Sequence, residues 1–178
     1  MPELTVERIE RLTRGDLADL CDATVAAIGA GIGFGWVRTP SRQRLEAYWK
    51  GVLVVPERVL YLGRLDGTVA AAAQLVKPAP NFEVGVFSAS LETHFVAPWA
   101  RGHGLAKMLL EAVEASARDE GCTVMRLDVR ATQARAIALY EASGYRRWGT
   151  LDSYHLVHGQ MIPGYFYVKN LAAPRPKS

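Results

Sequence analysis

The sequence predicts an α+β protein with a mixed sheet, and three observations support this prediction. Apolar stretches of strand length and amphipathic stretches of helix length both occur along the chain. An Asp66-Gly67 pair between two apolar runs is typical of the two-residue turn that joins antiparallel strands. Farther along, a strand, a helix and a second strand follow one another, an order that requires a crossover connection. Since the chain has 178 residues, we expect one domain over 1–172 and a flexible tail over 173–178.

The first half of the chain is predicted to hold a strand, two helices and a β-hairpin. A Gly-rich segment, 29–35, separates the two helices, and a Pro-rich connection, 77–81, follows the hairpin. The predicted elements are a strand over 6–12, a helix from Asp16 as N-cap to about Ile28, a helix capped by Ser41, and strands over 59–65 and 68–76.

The second half of the chain shows a clear helical period. Apolar side chains recur at i, i+3, i+4, i+7 and i+8 from Leu105 to Val113, and Gly121 is a plausible end of that helix. The other predicted elements are strands over 91–96, 123–130, 145–150 and 164–171 and a helix over 133–143.

A glycine-rich turn joins the strand 91–96 to the helix that begins near Leu105. Gly102 and Gly104 let the backbone turn sharply and approach a ligand closely. The first N–H groups of a helix lack carbonyl partners and point outward at the positive end of its dipole, so this turn predicts an anion site. The Gly-x-x-x-x-Gly-Lys-Ser/Thr pattern of nucleotide-hydrolysing proteins is absent, and a dinucleotide loop would need glycine where Lys107 stands.

Two segments match the signature of one known family. The first is Val96-x-Pro98 followed by Arg101-Gly102-His103-Gly104-Leu105-Ala106. The second contains Leu127-x-Val129, Ala136, Leu139-Tyr140 and Gly144-Tyr145. Together they resemble the GCN5-related N-acetyltransferase (GNAT) superfamily. The layout around Gly31-Ile32-Gly33-Phe34 and Ala73-Gln74-Leu75 resembles, more narrowly, that of the tabtoxin-resistance acetyltransferases.

The resemblance implies a fold, a cosubstrate and a set of contacts. It implies a mostly antiparallel sheet of six to seven strands flanked by about four helices, with acetyl-CoA bound at the central strand-loop-helix unit. Gln133 stands where the family often has Asn. The implied cofactor contacts are Phe95, Val96, Arg101, Gly102, His103, Gly104, Leu105, Ala106 and Gln133.

Glu92 is the first candidate for a catalytic base. A Lys-like amine is almost fully protonated at pH 7, so a base that removes its proton speeds acetyl transfer. Glu92 lies in a Leu-Glu-x-x-Phe-Val pattern that resembles polyamine-type acetyltransferases. On a regular strand, Glu92 and His94 would share one face about 6.6 Å apart, close enough for a water-bridged relay. The alternative is that Glu92 is an ordinary polar strand residue and His94 a hydrogen-bonded core histidine.

Tyr140 is the candidate proton donor for the departing thiolate, because a phenol remains protonated at pH 7. The alternative is an aromatic core residue. A backbone N–H near Phe95 or Val96 would stabilise the tetrahedral oxyanion.

The acceptor pocket is expected to be built from variable loops over 29–50 and 151–165. Phe34 and Trp36 are predicted to form an apolar cover over it, with a plain linker as the alternative. Asp128 is predicted to bind an acceptor cation, with a structural carboxylate as the alternative.

Composition excludes several other functions. A net charge of +3 without a dense basic stripe argues against nucleic acid, and no apolar run is long enough to cross a membrane. His155 and His158 lack further ligands, so no metal is expected. Without a recognisable signal peptide, we expect a cytoplasmic protein.

The predicted activity is N-acetylation of a small-molecule amine, such as an amino acid, a polyamine or an amine-bearing antibiotic or toxin. Direct attack in a ternary complex is expected, because no Cys or Ser lies in a nucleophile motif. The alternatives are acetylation of protein N-termini or lysines, and a non-catalytic coenzyme A sensor. The resemblance also leaves a homodimer open.

Overall fold

The computed structural model describes residues 1–32 and 34–171, which form a seven-stranded sheet with helices on both faces. The sheet order is β1-β2-β3-β4-β5-β7-β6, and every neighbouring pair is antiparallel except β4 and β5. The predicted α+β class and mostly antiparallel sheet are confirmed. The predicted tail, 173–178, lies outside the described residues. The elements are β1 (Leu4–Ile9), α1 (Arg14–Gly29), α2 (Arg42–Val54), β2 (Arg58–Leu65), β3 (Thr68–Val76), β4 (Ser88–Val96), α3 (Leu105–Asp119), β5 (Val124–Arg130), α4 (Ala134–Ala142), β6 (Arg146–Val157) and β7 (Gln160–Asn170).

The N-cap of α1 is Thr13, so the prediction of Asp16 is wrong. The Thr13 hydroxyl accepts a hydrogen bond from the Asp16 N–H at 3.0 Å. The Asp16 carboxylate instead pairs with Arg64 on β2 at 2.7 Å, which holds the start of α1 against the sheet. Ser41 caps α2 as predicted, accepting from the Arg44 N–H.

Both hairpins close with two residues in the left-handed region. At the predicted turn, Asp66 and Gly67 have φ of 50° and 81°. At the second, His158 and Gly159 have φ of 48° and 78° and join two long strands. Most of 151–165 is therefore a β-hairpin, and its prediction as a variable loop is wrong because the His-Gly pair forms a tight turn between two strands.

The core consists of two layers, one on each side of the sheet. α1 and α2 pack on one face and α3 and α4 on the other. Gly63 on β2 allows the close approach of α3, since a Cβ there would lie 3.3 Å from the Leu105 side chain. Among the described helices, none has both the length and the apolar character needed to span a membrane.

A gap opens in the middle of the sheet where β4 and β5 diverge. The two strands pair only over Ser88, Ala89 and Ser90. Beyond Ser90, β4 stays with β3 while β5 stays with β7. A proline has no N–H and can end a ladder, but Pro98 lies eight residues after Ser90, where the pairing stops, and is not the cause of the gap. The gap exposes one backbone edge of β4 beside α3 and α4.

Candidate active site

The first cleft, of about 650 Å³, lies between the open edge of β4 and the N-terminal ends of α3 and α4. Most of the predicted cofactor contacts line it. His103 is the exception: it is exposed and lies outside the lining, so the structure does not support its predicted contact. The predicted contacts that do line the cleft are Phe95, Val96, Arg101, Gly102, Gly104, Leu105, Ala106 and Gln133.

The start of α3 presents free N–H groups to this cleft. Gly104 is the N-cap with φ of 91° and offers no capping side chain. Within the described residues, the N–H groups of Leu105, Ala106 and Lys107 donate to no backbone carbonyl. Such groups stabilise an anion through hydrogen bonds and the helix dipole. This arrangement suits a phosphate.

Two basic side chains that the sequence motifs did not indicate also line the first cleft. Lys107 lies in the first turn of α3 and Arg135 in the first turn of α4. Their position just after a helix start was the available signal. With Arg101 they give the cleft three cationic side chains around an anion site.

Gln133 also fixes a wall of the first cleft. Its Nε2 donates to the Gly31 carbonyl at 2.8 Å. Ala30, Gly31 and Ile32 line the cleft opposite α4. The longer amide side chain therefore ties the segment after α1 to the start of α4.

A β-bulge in β4 separates the two candidate catalytic residues. Glu92 is opposite Gln74 and Phe95 is opposite Ala72, so two residues of β4 face one of β3. Thr93, at the bulge, has φ of 49°. The side-chain alternation is broken there, and the predicted shared face of Glu92 and His94 is wrong.

The side-chain partners show the same separation. Glu92 accepts a hydrogen bond from Arg58 at 2.8 Å, on the α2 side of the sheet. His94 instead lies between α3 and α4, where its ring bonds Ala106 and Tyr140.

The hydrogen bonds of His94 define its tautomer. The Ala106 carbonyl only accepts, so His94 Nε2 carries the proton and donates to it at 2.8 Å. His94 Nδ1 is then a lone pair and accepts from the Tyr140 hydroxyl at 2.9 Å. The pair thus orients the Tyr140 O–H and leaves His94 no free nitrogen for a second partner.

Burial sets the protonation state of both groups. Loss of hydration lowers the pKa of His94 to about 4, so the ring is neutral at pH 7. Burial, with a smaller contribution from the Asp128 charge, raises the pKa of Tyr140 above its ordinary value. A neutral histidine therefore faces a phenol that keeps its proton.

The second cavity, of about 310 Å³, adjoins the first cleft and is the more polar of the two. Asp128 accepts a hydrogen bond from Tyr154, which reaches across from β6. Burial raises the pKa of Tyr154, whereas burial and then the Arg130 charge lower the pKa of His155. The charged and polar side chains that line it are Glu92, Thr93, His94, Asp128, Arg130, Gln133, Tyr140, Tyr154 and His155. Both cavities share Ile32, His94, Gln133, Ala136 and Tyr140.

Phe34 and Trp36 line neither cavity, so the predicted cover is wrong. Phe34 is buried in the core of α1 and α2, with its ring 4.9 Å from that of Phe95. Trp36 packs edge-on against Tyr48. Apolar contacts in the layer of α1 and α2 hold both rings outside the two cavities. Tyr154 and His155 lie in 151–165, a segment from which the sequence predicts part of the acceptor pocket. Arg130 carries no such signal, because its approach to them depends on the pairing of β5 with β7 and of β7 with β6.

The comparisons with known proteins agree with this architecture. The sequence model of the Acetyltransferase (GNAT) family matches residues 29–145. An uncharacterized N-acetyltransferase in the hisH-hisA intergenic region of Azospirillum brasilense is 61% identical over 135 residues, which are 76% of this chain and 80% of that protein.

Solved structures share the fold at low identity. The structure of yncA from Salmonella typhimurium, with its cofactor acetyl-CoA, has a TM-score of 0.75 and 18% identity, covering 98% of this chain and 99% of that one. A ribosomal-protein-alanine N-acetyltransferase from Brucella melitensis has a TM-score of 0.78 and 22% identity, covering 94% and 99%.

Proposed function

Since this chain belongs to the Acetyltransferase (GNAT) family and is an acyltransferase, we propose that it moves an acetyl group from acetyl-CoA to a primary amine of a small molecule. The observation that supports this most directly is the position of the His94–Tyr140 pair. It lies where a cleft suited to a phosphate-bearing cofactor meets a cavity lined by carboxylates. A thioester bound in the first cleft would meet an amine held in the second cavity at this junction.

Acetyl-CoA is the proposed occupant of the first cleft. Its pyrophosphate would accept hydrogen bonds from the first turn of α3 and lie near Arg101, Lys107 and Arg135. The remaining lining is mostly apolar or backbone, which suits a thin chain running along β4. The solved structure of yncA from Salmonella typhimurium holds the same cofactor.

Val96 is the proposed oxyanion donor. The Ala97 N–H donates to Ala70 on β3 at 2.8 Å. Because N–H groups alternate along a strand, the Val96 N–H points away from β3, into the gap. It would bond the carbonyl oxygen of the thioester as negative charge develops there.

The proton transfers follow from the side chains at the junction. The free amine nitrogen attacks the thioester carbon, and the Tyr140 hydroxyl turns from His94 Nδ1 toward the sulfur. The C–S bond breaks as Tyr140 gives its proton to the thiolate. Before the attack, Glu92 takes the extra proton of the ammonium through water. The proton that the nitrogen loses after the attack restores Tyr140. His94 positions the Tyr140 hydroxyl and is a poor base, since both its nitrogens are engaged.

Thiol release from acetyl-CoA across a panel of amino acids, polyamines and short peptides tests this function. We expect release with at least one small amine and none with peptides, because the second cavity has only about 310 Å³. Tight binding of coenzyme A with no release for any acceptor would instead favour a sensor. Release with peptides alone would favour protein acetylation.

A Glu92→Gln variant tests the proposed base. We expect kcat/KM to fall by about 10²-fold, with the largest loss at low pH, where free amine is scarce. A loss of the same size at every pH would assign Glu92 to binding. Asp119→Asn, at the exposed end of α3 far from both cavities, is the matched control and should change nothing.

A further inference from the structure

Arg130 is a buried cation in the wall of the second cavity. Its exposed fraction is 7%, and it lies at the end of β5, deeper than the exposed Asp128 on the same strand face. One of its nitrogens, Nη2, donates to the Phe34 carbonyl at 3.1 Å. A guanidinium carries five N–H donors, so this bond leaves most of them for other partners.

No described carboxylate pairs with Arg130. A well-buried basic side chain is expected to carry an acidic partner, as Arg64 does with Asp16 and Glu7. Burial also lowers the pKa of Arg130, which reflects the cost of a charge without a neutralising group. A buried cation of this kind is stabilised most by an anion.

The remaining Arg130 nitrogens are open to the cavity. Among the described residues, the Ser88 hydroxyl is the one side-chain polar group that is both sealed from solvent and without a hydrogen-bond partner. No nitrogen of Arg130 is in that situation. The Arg130 donors that lack a protein partner are therefore accessible to solvent. They lie where a molecule in the second cavity can reach them.

We propose that Arg130 binds a carboxylate of the acceptor, so that the substrates are amino acids or other amines that carry a carboxylate. This inference rests on the proposed acetyl transfer and names its acceptor class. The planar guanidinium matches a carboxylate with two parallel hydrogen bonds. Glu92 and Asp128 face the same cavity and receive the ammonium end, while Tyr140 stands at the junction with the first cleft.

The other role for Arg130 is to fix the Phe34 carbonyl. Arg130→Gln separates the two roles, because its amide keeps an N–H donor for that carbonyl and removes the charge. Arg126→Gln is the matched control. Arg126 lies on the same face of β5, is exposed, and lines neither cavity.

The experiment measures kcat/KM with acetyl-CoA for a panel of L-amino acids and their carboxamides, compared per concentration of free amine. We expect the native protein and Arg126→Gln to prefer the best amino acid over its amide by about 10²-fold or more. In Arg130→Gln the preference should fall to within about threefold, because the amide substrate never used the charge. Thermal unfolding confirms that each variant is folded. If Arg130→Gln does not fold, Arg130→Lys should still lower the preference about tenfold, since it loses the paired donors.

Equal losses for amino acid and amide in the Arg130 variant would overturn the inference and leave Arg130 a structural residue. Native activity on polyamines or amides that matches or exceeds that on amino acids would also overturn it, while acetyl transfer itself would stand. If no acceptor causes thiol release, calorimetry measures the affinity of each L-amino acid and its carboxamide for the protein saturated with coenzyme A. A preference for the amino acid supports the carboxylate site without catalysis, and its absence removes both proposals.

Discussion

The first cleft and the second cavity meet at His94 and Tyr140 but are built from different parts of the chain. The anion site of the first cleft consists of glycines, small side chains and free backbone N–H groups at the start of α3. The polar part of the second cavity consists of charged and aromatic side chains, most of them from β4, β5 and β6. A site made of backbone depends on local conformation, whereas a site made of side chains depends on which strands come together. In the proposed function, cofactor binding would therefore depend mainly on local sequence and acceptor choice on tertiary packing.

Tyr140→Phe should give the largest effect. The change removes the proposed proton donor and leaves the ring, so we expect kcat to fall by about 10²-fold or more. Affinity for coenzyme A should change by less than about twofold. Steady-state kinetics and calorimetry measure the two quantities.

Tyr145→Phe is the matched control for this variant. Tyr145 is buried beside Tyr140 but donates to Glu114, outside both cavities. It should lower the melting temperature and leave kcat intact. An unchanged kcat in Tyr140→Phe would remove the hydroxyl from the mechanism.

His94 should make the protein less stable in acid. The folded pKa of about 4 lies below the ordinary 6.5, so the unfolded chain binds more protons between these values. The free energy of unfolding should therefore fall as pH drops from about 6.5 to 4, by at most about 3 kcal/mol. Urea denaturation at several pH values measures it. In His94→Gln, which cannot titrate, the free energy of unfolding should depend less on pH over this range. A pH dependence equal to that of the native protein would show that His94 is not its cause.

A pair of glycine variants distinguishes local strain from cofactor binding. Gly104 and Gly121 flank α3 with φ of 91° and 85°. Alanine at either position should cost about 1–3 kcal/mol of stability through backbone strain. Gly104→Ala alone should weaken coenzyme A binding, by about tenfold, because it shifts the first turn of α3. Similar affinity in both variants would mean that this turn does not hold the phosphate.

Lys107→Ala should give the smallest effect. Its side chain is 67% exposed, so its contribution to anion binding is screened. We expect coenzyme A affinity to fall about two- to fivefold at low salt and less at high salt. His103→Ala, in the same turn but outside the cleft, should bind coenzyme A as tightly as the native protein at every salt concentration. A lower affinity in this variant would show that His103 contacts the cofactor after all.

The sequence predicted local structure correctly where a backbone conformation requires a particular type of residue. Gly102 and Gly104 predicted the turn, and Asp66-Gly67 predicted the hairpin, because few residues accept a positive φ. The predicted cover is wrong because Phe34 packs among residues of α1, α2 and the sheet, an arrangement that no local pattern reveals.

The second cavity was harder to predict for a related reason. Arg130 and Tyr154 are separated in the chain and come together through the pairing of β5 with β7 and β7 with β6. A register shift between Leu151 and His155 turns Tyr154 toward Asp128. The bulge at Thr93 likewise places the His94 side chain on the opposite face of the sheet from the one that regular alternation predicts.

That bulge also has a consequence for changes of chain length in β4. Because one residue is unpaired, the side chains before Thr93 and those after His94 alternate between the two faces of the sheet independently of each other. A one-residue insertion or deletion near 93 is absorbed at the bulge without turning Phe95 and Val96 away from their positions. A change of chain length at this point of β4 should therefore alter the residues before the bulge without moving the strand segment that borders the gap.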